Sequence, residues 1–418
     1  MINSSWLKSL RDQLRSSLFR GRPQARKCKQ RMPTVEGLEN RTLLSVNAVF
    51  DVATHQLHVT ASKNSKIEIG TNKKGQVTVN GRPAKATSPG VNALSRAAAP
   101  TVGASDVAGI DVTCGAGNNK VDLSNVGSSA FQNLTNVAID GGAGNDTIVG
   151  SGFDDSIHGG SGNDFIDGNA GDDELIGDDG NDLINGGSGD DLVEGGSGND
   201  DLNGDDGVDS VSGDQGDDKL NGDAGDDDLN GDDGDDLILG GIGNDILRGG
   251  NGADDLSGGV GDDDVGGDAG DDTLEGDDGD DQVHGDDDDD VSNGGPGDDT
   301  VEGGNGNDDV DGGDGDDDVN GDDGDDVVHG GSGNDQLNGG IGTDDLHGDD
   351  GDDVMQNDDG EDTEEGGNGN DSDDDNGGGA DDDGSKAARF AMASPATARK
   401  HGADDGPKHK KHHGNHHK

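Results

Sequence analysis

Residues 141–374 repeat one nine-residue phrase 26 times, with no residue inserted or deleted. The phrase is G-G-x-G-x-D-x-U-x, with U aliphatic; GGSGNDFID at 159–167 and GGSGNDQLN at 330–338 are clean copies. Position six is Asp in all 26 units, position four is Gly in 24, and position eight is aliphatic or Met in 23. A fixed period dictates architecture before any strand is assigned, because each unit can bury its apolar residue only against its neighbours. Random drift among Asp, Gly and Asn would lose phase within a few units.

Each position has a physical role. Gly at positions one and four is expected to take positive φ, turning the chain tightly and directing carbonyls inward. Asp at position six adds a carboxylate oxygen to that ring. Oxygen-only donors on a flexible loop suit Ca²⁺, which accepts six to eight oxygens in loose geometry, better than Mg²⁺ with its strict octahedron. The x-U-x segment reads as a three-residue strand whose middle side chain points inward. Ile148, Ile166, Ile184, Val193, Leu202, Leu220, Ile238, Leu247, Val310, Val328 and Leu337 are such residues. Two units are expected to make one turn of a flattened parallel coil, with calcium between stacked turns.

The array resembles the repeats-in-toxin (RTX, hemolysin-type) calcium-binding nonapeptide, over 234 of 418 residues. The resemblance implies an all-β fold: a right-handed parallel β-roll, or β-solenoid, that forms on binding multiple Ca²⁺. Carried over unit by unit, it makes the position-six carboxylates the metal ligands. These are Asp146, Asp155, Asp164, Asp173, Asp182, Asp191, Asp200 and Asp209. Asp218, Asp227, Asp236, Asp245, Asp254, Asp263, Asp272 and Asp281 follow. Asp299, Asp308, Asp317, Asp326, Asp335, Asp344 and Asp353 complete the set.

Departures from the phrase carry their own expectations. Position two is Asp at 178, 205, 214, 223, 232, 268, 277, 322 and 349; Asp tolerates left-handed backbone better than most residues, and Asp232 is read as solvent-facing charge. Unit 285–293 has Asp288 for the turn Gly and Ser292 in the apolar slot, and the last two units put Glu364 and Asp373 there. A local defect near 288 and fraying beyond about 356 are expected, so Asp290, Asp362 and Asp371 are left out of the ligand set.

Charge makes the array dependent on cations. It holds 79 of the chain's 94 acidic residues against Lys219 and Arg248 alone. Such self-repulsion opposes compaction, and one aliphatic side chain per unit makes a thin core. Calcium is therefore expected to tip a disordered polyanion into a fold. The same charge argues against nucleic acid or anionic membranes as partners. The 82 Gly, six Phe, one Trp and no Tyr leave little for a compact globular core. Cys28 and Cys114 make no disulfide scaffold; Cys114 occupies a Gly-like slot in CGAGNN as a small buried residue. No stretch of 18 apolar residues offers a membrane span.

The flanks differ in kind. Residues 1–45 carry ten Lys/Arg against three acids, and Trp6, Leu7, Leu10, Leu14 and Leu18 fall at helical spacing. There is no apolar h-region of an ordinary signal peptide. VEGLENRTLLS (35–45) is similar to the bacterial LEPR-XLL-type leader of exported surface proteins: Leu38, Glu39, Arg41, Leu43 and Leu44 match, and Asn40 replaces Pro. Residues 46–140 alternate with period two in AVFDV, QLHVTA, KIEIGT and QVTVNG, with turns at Gly75 and Asn80-Gly81. They are expected to form a β-rich N-terminal cap. IDVTCGAGNNKVDLS (110–124) echoes the repeats as a degenerate turn, and 84–106 reads as a loop. Residues 375–418 form an acidic-to-basic tail with six of the twelve His, read as a solvated polyanion-contacting tail before a transition-metal site. It carries no recognisable C-terminal export signal. His158, His284, His329 and His347 sit at position nine and are expected to face solvent.

Catalysis has no visible home: there is no H-E-x-x-H, G-x-S-x-G, P-loop or C-x-x-C. The sequence points to a non-enzymatic, calcium-binding structural protein, secreted or on the cell surface of a bacterium. Calcium ions are its expected partners, with extracellular-matrix or cell-surface partners open. The alternatives are a hemolysin-like toxin and an acidic extracellular calcium-buffering matrix protein.

Overall fold

The computed structural model describes residues 46–87, 101–356 and 362–373. The leader at 1–45 and the tail at 375–418 lie outside the described residues. Within them every regular element is a strand, apart from one 3-10 turn at Ala104–Asp106. Among the described residues no helix is long and apolar enough to cross a membrane.

The chain winds as a solenoid between two parallel sheets. Strand Asp155–Ser161 pairs with Glu174–Asp179, Ile157 opposite Leu175. On the other face Phe165–Ala170 pairs with Leu183–Ser188, Ile166 opposite Ile184. Both offsets are 18 residues, so two units make one turn and alternate units feed opposite sheets. Inward side chains stack in two columns, and position eight is at most 1 % exposed from Ile148 to Met355. That burial is what a period-two strand dictates once one face is covered.

The strands exceed the expected three residues. Leu183–Ser188 and most others are six long, running from position seven into position three of the next unit. At both ends of the array they shrink to three, as in Thr147–Val149, Gln336–Asn338 and Val354–Gln356. Position two stays in the ladder although its φ is positive, as Gly160 opposite Asp178 demonstrates. The expected use of position one is also corrected. Positive φ falls at position two and, over the first half of the array, mostly at position four, as at Gly187 (117°) and Gly189 (132°), and not at Gly186. Position one needs glycine for space: a Cβ on Gly186 would lie 2.6 Å from the carbonyl oxygen of Gly204. At position two Asp178, Asp205, Asp232 and Asp277 adopt φ of 71–75°, the left-handed backbone that Asp tolerates.

The defect expected at 288 is small. Asp288 takes φ of 87° and the ladder continues. Strand Val291–Pro296 meets Thr273–Asp278 over three residue pairs, where neighbouring strands meet over five. Ser292 is buried in the core column with its Oγ unpartnered. Past 356 the ladder also continues, Thr363–Glu365 pairing with Asp345–His347 and Ser372–Asp373 with Val354–Gln356.

Ahead of the array the same two columns extend backward. Val59, Val112, Ile139 and Ile157 stack on one face; Ile67, Val121, Ile148 and Ile166 on the other. The parallel sheets then end on antiparallel strands, Val46–Asp51 against Gln56–Ala61 and Val77–Val79 against Lys66–Thr71. Between the degenerate turn and the array, Leu123, Val126, Phe131 and Leu134 are buried, and Phe153 packs against the core. The expected loop at 84–106 is tied at both described ends: Ala84, Val102 and Ala104 are buried, and Lys85 bridges Thr101.

Candidate metal centre

Each position-six Asp ends the turn just before a strand, and from Asp146 to Asp353 all are 4 % exposed or less. Their two carboxylate oxygens have different fates. Oδ1 accepts the backbone N–H of the equivalent residue one turn before: Asp227 donates to Asp245 Oδ1, and Asp245 to Asp263 Oδ1, both at 2.8 Å. Successive turns are thereby locked in register. Oδ2 has no hydrogen-bond partner in 23 of these residues. An unpartnered buried carboxylate oxygen is among the costlier groups a protein can hold.

Backbone oxygens gather around it. A Cβ placed on Gly177 would lie 2.5 Å from Asp182 Oδ2 and 2.5 Å from the Gly195 carbonyl oxygen. On the facing edge, one on Gly186 would lie 2.5 Å from Asp191 Oδ2 and 2.6 Å from Gly204 O. The hollow is therefore lined by oxygen and closed by glycine. Burial pushes these carboxyls upward in pKa, the N–H bond pulls them partly back, and like charges above and below push again. Asp173 and Asp290 reach about 8, Asp182 and Asp218 about 7, and Asp245 about 6.

Such a group calls for a proton or a hard cation. Among the described residues no three His, Cys, Asp or Glu converge on one point, so an ion here would take most of its oxygens from the backbone. A carboxylate beside backbone carbonyl oxygen fits Ca²⁺, which tolerates irregular coordination, and does not fit Zn²⁺ or other ions that prefer nitrogen or sulfur. When bound, calcium supplies positive charge between stacked turns; the residues present fit it.

All 23 sequence-named carboxylates occupy this slot, and 22 of them carry the orphaned oxygen. Asp155 is the exception, because Ser151 donates to both its oxygens. Asp290, left out for its irregular neighbours, is 2 % exposed and has the orphaned Oδ2 of a regular member. The invariance of position six was the signal for it. Asp362 and Asp371 are half-buried and accept the N–H of Asp344 and Asp353.

Asp232 is not the free solvent charge expected of it. It is half-buried and accepts hydrogen bonds from Ser212 Oγ at 2.7 Å and Asn230 Nδ2 at 2.9 Å. The position-nine histidines point outward as expected: His158 is exposed beside Asp178, and half-buried His329 stacks on His347 with centroids 4.6 Å apart. Position five forms an exposed ladder missed in the sequence, where Asp190 N–H donates to Asp172 Oδ1 at 3.2 Å and Asp298 N–H to Asp280 Oδ1 at 3.1 Å.

The chain matches a family model described as the RTX calcium-binding nonapeptide repeat, four copies to the model, in ten overlapping stretches that together run from 140 to 355. No curated protein matches the chain. RTX nonapeptide repeats bind multiple Ca²⁺ ions. With more than half of its 418 residues matched, this β-solenoid protein belongs to the RTX calcium-binding nonapeptide repeat family.

Proposed function

We propose that the protein is a non-enzymatic structural protein, exported from a bacterial cell, whose repeat array becomes a rod-like β-solenoid only where calcium is abundant. Its carboxylate ligands are the position-six Asp residues with an orphaned oxygen, Asp146, Asp164 and Asp173 onward to Asp353, Asp290 among them. The observation that carries this reading is the column of buried Oδ2 atoms without a hydrogen-bond partner, most of them beside the position-one carbonyl oxygen of the next turn. Sites built mostly of neutral carbonyls suit the weaker calcium affinities of extracellular modules, and cytosolic calcium would leave them empty. Export is further supported by the likeness of 35–45 to an exported-protein leader. Without calcium the array reverts to an expanded polyanion.

A calcium titration of the full chain, followed by far-UV circular dichroism and native mass, tests this. β structure should appear cooperatively with calcium, bound ions should number in the tens, and equal magnesium should do much less. A spectrum unchanged between chelator and several millimolar calcium would sink the proposal. Calcium binding without any gain of structure would favour the unstructured acidic buffer instead.

A further inference from the structure

On one face, the position-six slot one turn ahead of Asp146 holds an amide. Asn119 occupies it, because Lys120, Val121 and Asp122 pair with Thr147, Ile148 and Val149 as positions seven to nine. Its Oδ1 accepts the backbone N–H one turn before, that of Ser65 at 3.0 Å, as Oδ1 of the array carboxylates does. Nδ2 therefore falls where the array has its orphaned Oδ2. It donates to the carbonyl oxygens of Gly115 at 2.9 Å, Gly117 at 2.5 Å and Gly141 at 3.4 Å, and lies 3.2 Å from Asp146 Oδ1. Gly141 is position one of the next turn, and position-one carbonyls are the ones that face Oδ2 along the array. An amide nitrogen has only hydrogens to offer. It gives these oxygens by hydrogen bonding what a cation would give by charge.

The opposite face has its own plug. Ser151 stands at position two of unit 150–158, and its N–H and hydroxyl donate to Asp155 Oδ2 and Oδ1 at 2.5 and 2.8 Å. That leaves Asp155 with no orphaned oxygen. Two independent features agree. Cys114 takes the position-one slot beside Asn119, where a Cβ in the array would collide with oxygens. Residues 46–140 also carry six acids against eight Lys/Arg, and bury Phe50, Leu57, Ile67, Ile69, Ile110 and Phe131 completely or nearly so. Neither the charge nor the thin core that makes the array need calcium exists there.

We infer that the turn meeting the array on each face is closed by protein groups in place of calcium, Asn119 on one and Ser151 on the other. The described residues of 46–140 then stay folded without the ion and present a finished edge on which the array orders, from Asp146 and Asp173 outward. A solenoid that must pay a nucleation cost at every free end gains a fixed starting point from such an edge. The inference rests on the position-six carboxylates holding calcium.

Hydrogen exchange and native mass on the full chain test it. In chelator, amides of 109–113, 120–122 and 137–140 should keep slow exchange while 174–323 exchange roughly as an unfolded chain does. Asn119→Asp should bind one more calcium than the unmodified protein and lose its chelator-resistant protection. Ser151→Gly, which restores the repeat phrase, should also gain one ion, and serves if Asn119→Asp fails to fold. Loss of protection throughout 109–140 in chelator would overturn the inference, as would ion counts unchanged in every variant that folds. An array that binds no calcium at all would instead overturn the proposed function.

Discussion

The two oxygens of one carboxylate separate folding from binding. At Asp245, Oδ1 holds the N–H of Asp227 and Oδ2 has no partner. Asp245→Asn keeps the acceptor and places an amide where Asn119 already has one. It should lower the calcium count by one and leave the turn folded. Asp245→Ala removes both functions, lowering the count by one and also stranding a buried N–H, at a cost of about 1–3 kcal/mol. Asp232→Ala should leave the count unchanged and cost about 1 kcal/mol through its lost hydrogen bonds to Ser212 and Asn230. Native mass in saturating calcium, with denaturant titration alongside, separates the three. A lower count in Asp232→Ala with none in Asp245→Ala would reverse the assignment of positions two and six. The distinction between the oxygens could not be read from sequence, which specifies a carboxylate and not its surroundings.

Strands in this molecule are interchangeable, so an irregular one reports what each position contributes. Val291–Pro296 puts Ser292 between Leu274 and Val310 in the core column, 1 % exposed, with its hydroxyl unpartnered. Removing a buried unsatisfied hydroxyl and filling the slot with methyl groups should stabilise the fold. Ser292→Val is expected to add about 1–3 kcal/mol at fixed calcium, measured by denaturant unfolding. No gain would mean that a donor or water satisfies Ser292 in solution. Six-residue strands, in place of the three expected, arise because glycine at position one brings adjacent backbones close and the ladder resumes at position two. Aliphatic periodicity marks only the x-U-x part, so the extension through a Gly-Asp pair was invisible to it.

Across the whole molecule, calcium and protons serve the same need. Without the ion, burial holds folded-state pKa values above the ordinary carboxylate value, at about 8 for Asp173 and about 7 for Asp191, Asp227 and Asp326. Because the folded value exceeds the unfolded one, protonation favours folding. This contribution is complete below about pH 4 and is lost as pH rises through 6 to 8. Acid should therefore partly replace calcium: in chelator, far-UV circular dichroism should gain β signal as pH falls from 8 to 5. An unfolded spectrum at both values would refute this. With calcium present the sign reverses, since protons compete for the same oxygens and apparent affinity should fall with pH.

Period and composition were enough to determine the solenoid, its 18-residue turn, the inward aliphatic columns and the calcium-binding character of the repeats. Each follows from side-chain alternation repeated in strict phase, a property of the linear chain. The 23 named carboxylates share one slot for the same reason, and Asp290 shares it too, because the period outweighs its irregular neighbours. What the tertiary structure alone decided lies where phase breaks. Asn119 and Asp146 are 27 residues apart, not 18, because the segment holding Val126 and Phe131 intervenes before the sheet resumes. Only pairing across that insertion identifies Asn119 as a position-six residue, and only the placement of Ser151 against Asp155 removes an orphaned oxygen. Partnership between groups distant along the chain is set by stacking, and no local spacing encodes it.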